Sequence, residues 1–340
     1  MTDAAKIATE VASSTEATSE ATTGAYVHLF GKLFRQFGTS VIFVLLILVA
    51  SFQSDVFLTQ GNAMNVLRQM SGIGIMAIGM LFVILTRGID LSVGSVAALG
   101  AVSAAMLVQD YPVPIALIMV VGIGATCGLV SGVLVAFLRL PAFVITLAMM
   151  TAARGVALIL SNGQPIMLGE AGGALQRFGT SFTLGIPNPA LLMFSFFTVA
   201  FIILNYARFG RLIKAIGSNE DAVRLSGISV PWYVLSVYVI SGALAAIAGV
   251  LVTSRSGVGS ASVGNGSELD VIAAVVIGGA SLMGGRGGVI NTFIGVMILG
   301  VIGNIMNLAG VPGYHQQVYL WLIIVVAVVL QHGNQLFSRH

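Results

Sequence analysis

Apolar residues in this chain come in runs long enough to cross a bilayer, and that limits its fold more than any motif does. A spanning helix needs roughly 20 mostly apolar residues, with about 17 to 25 tolerated. Runs that qualify fall near 38–54, 70–86, 92–109, 114–138, 141–161, 188–206, 232–254, 268–284, 288–309 and 314–331. Lipid offers the backbone no hydrogen-bond partners, so such runs must satisfy their own polar groups as helices. Composition agrees: 57% of the 340 residues are hydrophobic and 8% charged, against about 25% charged in soluble domains. The expected fold class is an all-α polytopic membrane protein of about ten transmembrane helices. The third and eighth runs are the weakest, being rich in Gly, Ala and Ser.

Charge placement sets direction. Ten spans leave both termini on one side. With that side cytoplasmic, the inner loops hold Lys32, Arg35, Arg87, Arg139, Arg208, Arg211, Lys214, Arg224, Arg286 and Arg339. The outer loops hold Arg68, Arg177 and Arg255. This asymmetry is what the positive-inside rule predicts, so both termini are expected in the cytoplasm. The net charge of +3 is no argument for nucleic acid. The lone cysteine, Cys127, sits in an apolar run and excludes a disulfide framework. Residues 1–24 read as a disordered Thr/Ala/Ser/Glu-rich tail; 25–340 form the membrane domain.

Within that domain, 207–231 is the one substantial charged stretch. Ser218 and Asp221 fit a capping box, Glu220 and Asp221 suit the positive end of a helix dipole, and Gly227 is a natural stop. A helix this short is marginal in water and needs a surface to lie on. Two surfaces are open to it: anionic lipid beside Arg208, Arg211 and Lys214, or a groove on a cytoplasmic protein. The acids on its polar side favour the groove.

Other features read as structural. In TRGIDLSVGS, residues 86–95, Asp90 is placed to cap the following helix, an ion site being the alternative. Ser267 and Asp270 repeat the box pattern, contact with an external partner being the alternative. Gly124, Gly128 and Gly132, like Gly94, Ala98, Ala101 and Ala105, form small-residue stripes suited to close helix packing within one chain. Arg154 lies well inside a span with no evident partner. Gln69 and Asn304 interrupt apolar surroundings and are candidates to line a path for a neutral polar solute. Arg68, Arg177 and Arg255 are candidates to meet carboxylates on an outer partner. The four histidines are not at metal-ligand spacing, and GGRGG at 284–288 lacks the GK[ST] of a phosphate cradle. No enzyme constellation, metal or cofactor site is expected in this chain.

The charged loop, TRGIDLSVGS and ELDVIAAVVIGGASLMGGRGG together closely resemble the ribose-type permeases of bacterial ATP-binding-cassette importers. That family includes the ribose, xylose, arabinose, galactose and autoinducer-2 permeases. The resemblance runs from about Phe37 to Leu330. It implies an inner-membrane subunit that translocates a sugar inward, pairs with a second permease copy or a paralogue, and sits in membrane lipid. A cytoplasmic ATPase would bind Mg-ATP, and a periplasmic sugar-binding protein would deliver the solute. Spans 2–5 and 7–10 would be inverted repeats. The segment matching the ATPase contact holds Gly217, Ser218, Asn219, Glu220, Asp221, Arg224, Leu225 and Gly227. The competing expectation is a self-contained secondary transporter or channel.

Overall fold

The computed structural model describes residues 39–319 and Leu322. Seven helices are long and apolar enough to cross a membrane: α2 (Gln60–Leu85), α3 (Val93–Asp110), α4 (Val113–Ala136), α5 (Ala142–Ser161), α7 (Asn188–Tyr206), α10 (Val230–Ser256) and α12 (Val289–Leu308). A shorter apolar helix, α1 (Thr39–Gln53), precedes them. Prolines occupy the first turn of α4, α7 and α10, where a missing N–H costs nothing and the fixed φ favours the helix. Short helices lie between them: α6 (Gly173–Thr180), α8 (Arg208–Ser218), α9 (Glu220–Leu225) and α11 (Ser267–Ile277).

Most predicted spans coincide with these helices, with instructive exceptions. The second helix begins at Gln60, ten residues before the predicted 70, because Thr59 caps it by accepting from the Asn62 N–H. The eighth span, predicted at 268–284, stops at Ile277. Beyond it Gly279, Gly284 and Gly285 take left-handed backbone that cannot continue a helix. Two pairs of two-residue strands, β1 (Ile166–Met167) with β4 (Val258–Gly259) and β2 (Phe182–Thr183) with β3 (Ile186–Pro187), add small ties that an all-α reading omits. The tail at 1–24, both termini and most of the predicted tenth span lie outside the described residues.

Burial sorts the helices. The apolar windows of α2 and α3 are 78% buried, whereas those of α4 and α5 are 22% and 17% buried. The first pair forms the core with α10; the second presents its apolar surface to lipid. Close packing comes from the glycine stripe of α4, laid against α10. A Cβ on Gly128 would overlap the Tyr238 carbonyl oxygen, and one on Gly124 that of Gly242. The α3 stripe is likewise internal: Ala101 packs under Gly249 and Gly259. In lipid, dispersion contacts between backbones this close replace the hydrophobic drive.

Both α3 and α11 open midway across the bundle. Asp90, just before α3, reaches Ser241, eleven residues along α10 from Val230, or about 16 Å at 1.5 Å per residue. The segment before α11 reaches the same level, since a Cβ on Gly94 would meet Gly264 and Glu268. At eleven residues, α11 is about 16 Å long, half a hydrocarbon core of about 30 Å. The two weakest runs of the sequence are thus the two broken elements of the fold. Small residues that dilute hydropathy also let the chain unwind and cross itself here.

Candidate functional site

The charged stretch folds as two helices, not one. Helix α8 is amphipathic, with Ile213 and Ile216 buried and Arg208 and Arg211 outward. Phe209 packs at ring distances of 6.2 Å from Phe82 and 6.0 Å from Tyr233, fixing α8 to the bundle. Ser218 closes α8 by donating to the Lys214 carbonyl at 3.0 Å. The cap of α9 is therefore Asn219, whose Oδ1 accepts from the Ala222 N–H at 3.0 Å. This replaces the predicted Ser218–Asp221 box. Ser and Asn are near-equal caps, and the amphipathic run of α8 carries the helix through Ser218, leaving Asn219 as the first extended residue.

Helix α9 is six residues long and rests on a small apolar cluster of Ile216, Val223 and Val230. Gly227, at φ 80°, ends it. Arg224 pairs with Glu220 one turn back and lies 3.8 Å from Asp221. Exposed pairs of this kind contribute about 0.3–0.5 kcal/mol, so they shape the helix surface more than they stabilise it. Leu225 is 89% exposed. Asn219, Asp221 and Arg224 are exposed beside it.

Directly behind α9, three chain segments converge. Arg87, after α2, donates to the carbonyls of Gly217 at 2.7 Å, Ser218 at 2.9 Å and Met283 at 3.1 Å. It does so from left-handed backbone, φ 66°, a conformation that costs a side-chain-bearing residue about 1–2 kcal/mol. The Gly285 N–H donates to the Leu85 carbonyl at 3.0 Å. A Cβ on Gly217 would overlap both the Leu85 oxygen and the Gly285 nitrogen. The end of α8, the end of α2 and the loop after α11 are thus in backbone contact. Sequence reasoning left Arg87 as one of many basic loop residues; its position between a helix end and a glycine was the available signal.

Asp90 is buried and does not cap α3 as expected. Its Oδ1 accepts from the Ser92 N–H at 3.0 Å and from the Ser92 hydroxyl at 2.6 Å; its Oδ2 accepts from Ser241 at 2.7 Å. It ties the first break to α10. Nor do Ser267 and Asp270 form a box, because the N-cap of α11 is Gly266 and no side chain caps it. Helix α5 holds both breaks. Thr146 donates to the Ile89 carbonyl at 3.2 Å, and Arg154 donates to the carbonyls of Ala261 and, at 2.8 Å, Val263. That is the partner of Arg154 that the sequence did not reveal: backbone oxygens freed by unwinding.

At the opposite end of the bundle, Arg68 donates to Asn65 at 2.9 Å and lines a cleft of about 680 Å³ with Gln60, Asn62 and Phe182. Arg255, in the last turn of α10, lies at the same end, where Gly72 of α2 packs on Val252. Arg177 lies on α6, which packs at the same end through Gly179 and Ser254. Among the described residues the ion pairs are those of Arg224, so these cations have no carboxylate within 4.0 Å. The two path candidates are apart in character. Gln69 is exposed on α2, while Asn304 is buried in a reciprocal amide pair with Asn62, at 2.8 Å each way. Among the described residues no cluster of metal-ligating side chains occurs.

Comparison with known proteins gives a consistent picture. The family model described as branched-chain amino acid transport system / permease component matches residues 62–328. The chain is 42% identical over 302 residues to the ribose import permease protein RbsC of Haemophilus influenzae, covering 88% of this chain and 94% of that one. It is 40% identical over 302 residues to the protein of the same name in Bacillus subtilis, with the same coverage. It is 36% identical over 273 residues to the galactofuranose transporter permease protein YtfT of Escherichia coli, covering 80% of each. No solved structure matches it.

Proposed function

The chain belongs to the branched-chain amino acid transport system / permease component family, and from that premise we propose that it translocates ribose or a related monosaccharide inward by ATP-driven alternating access. It is a permease subunit of a sugar importer, as its ribose- and galactofuranose-named relatives are. Hydrolysis of Mg-ATP belongs to a separate cytoplasmic ATPase. A periplasmic sugar-binding protein loads the path, and a second copy of this chain, or a paralogue, completes it in the inner membrane. Ten spans with cytoplasmic termini complete the topology. An inverted relation between spans 2–5 and 7–10 is supported by the matching breaks that open the third and eighth.

The observation that carries the mechanism is Leu225, an apolar side chain 89% exposed on a short polar helix at the basic end. Burying a leucine in a partner is worth about 1.5–3 kcal/mol, and among the described residues little covers this one. Docking of the ATPase on Gly217–Gly227 would place Leu225 in a pocket, with Asn219, Asp221 and Arg224 supplying polar register. Movement of α9 would pass through the Arg87 junction to α2 and the first break.

The test is charge reversal. Glu220→Arg or Asp221→Arg should abolish uptake while leaving the chain in the membrane at normal abundance. Normal uptake by both variants would refute docking at this helix. At the opposite end, the Arg68, Arg177 and Arg255 cations fit acidic residues of the binding protein. Neutralising all three should flatten the salt dependence of binding-protein association, because long-range steering is screened by salt. An unchanged salt dependence would remove them from that interface.

A further inference from the structure

The unwound stretch before α11, 260–266, is hydrophilic and lies at the level where apolar helices should meet hydrocarbon. Its position is fixed from two sides. Val263 accepts from Arg154, twelve residues along α5 from Ala142, or about 18 Å; Gly264 lies against Gly94 at the start of α3. Yet Ser262 and Asn265 are exposed. The Ser262 hydroxyl meets that of Ser260 at 2.9 Å, and the Asn265 side-chain amide makes no hydrogen bond among the described residues. In the adjoining turn of α11, the inner carboxylate oxygen of Glu268 is buried without a partner.

Lipid does not tolerate this surface. Irregular backbone at membrane depth occurs where it is buried in protein or lines a water-filled cavity, and polar side chains there face a path or a partner. α5 offers a contrast: within a turn or two of Arg154 it exposes the apolar side chains of Val156 and Ile159. One side of the chain at mid-depth is therefore apolar, and the other is serine, asparagine and freed carbonyls.

We infer that Ser260, Ser262, Asn265 and Ser267 line the aqueous translocation path, where hydroxyl and amide groups exchange hydrogen bonds with a neutral polyhydroxylated solute. The inference rests on the importer reading and adds which residues meet the solute. Loose, multiple partners suit passage, since a tight site would delay release. Arg154 then acts as a positioning residue, holding the stretch in place through backbone carbonyls. The sequence-derived candidates differ from this set: Asn304 is tied to Asn62 and Gln69 is exposed on α2.

Cys127 is the single cysteine of the chain, so Cys127→Ser gives a clean background. Ser262→Cys and Asn265→Cys would be introduced separately, with Val156→Cys and Ile159→Cys as lipid-facing controls, in the full importer with its ATPase and binding protein. The probe is a charged methanethiosulfonate reagent, which needs thiolate and hence water. Labelling at 262 and 265 should exceed the controls by about ten-fold or more and should block uptake, as expected for a water-lined cavity. Rates equal to the controls, or labelling that leaves uptake intact, would overturn the assignment. Labelling requires no knowledge of the solute. A path with the expected accessibility but no ribose uptake would therefore fault the sugar assignment and not the lining.

Discussion

Gly217→Ala is expected to reduce uptake by the assembled importer by at least about ten-fold without expelling the chain from the membrane. Its Cβ would overlap the Leu85 carbonyl oxygen and the Gly285 nitrogen. Both are backbone atoms, so relief requires that α8 part from α2 or from the loop after α11; overpacking of this kind costs about 1–3 kcal/mol. The three elements stay packed elsewhere, and the loss falls on the junction through which α9 connects to the first break. Arg87 separates two accounts of that junction. Its three carbonyl bonds contribute about 0.5–1.5 kcal/mol each, enough to offset its left-handed backbone. Arg87→Gly removes the strain and the donors together. If turn shape alone matters, the glycine variant transports normally; if the bonds transmit motion, it hydrolyses ATP without transport, and Arg87→Lys restores part of the coupling. Uptake and hydrolysis measured together in proteoliposomes decide between them.

Particular residues show how far the sequence could be read. Run length places α4, α5, α7 and α10 within a few residues, because lipid forces backbone satisfaction inside each helix. The glycine stripe of α4 was legible as internal packing, and Gly227 as a helix stop. The breaks at 86–92 and 257–266 read from the sequence only as loops between spans: which stretches unwind at membrane depth depends on what receives the freed carbonyls. The receivers, Thr146 and Arg154, are more than fifty and one hundred residues distant from their acceptors. The capping patterns at Ser218 and Asp90 fail for related reasons. A capping pattern states what a side chain can reach locally, whereas a continuing helix takes Ser218 and a bond from Ser241 holds Asp90. Asn304 was set apart by its polarity, but its partner Asn62 lies 242 residues away.

The largest expected stability effect lies in the α4–α10 crossing. Gly128→Val should lower the melting temperature of the detergent-solubilised protein sharply, or prevent its accumulation, whereas Gly122→Ala in the same helix should not. At Gly128 the first added carbon already overlaps the Tyr238 carbonyl oxygen, with the Tyr238 carbonyl carbon at 2.8 Å and the Val239 Cα at 2.9 Å. Every obstructing atom is backbone, so no rotamer change relieves it, and the two further methyls of valine must push the helices apart. Parting them also opens Gly124 from Gly242, which approach each other as closely, so dispersion is lost along several turns. In lipid no hydrophobic effect compensates, since an opened seam fills with acyl chains of the same polarity. At Gly122 nothing lies within 4 Å, and alanine gains about 1 kcal/mol of helix propensity. If both variants melted alike, the crossing would be permissive, and the stripe would have to be explained by contact with a second copy.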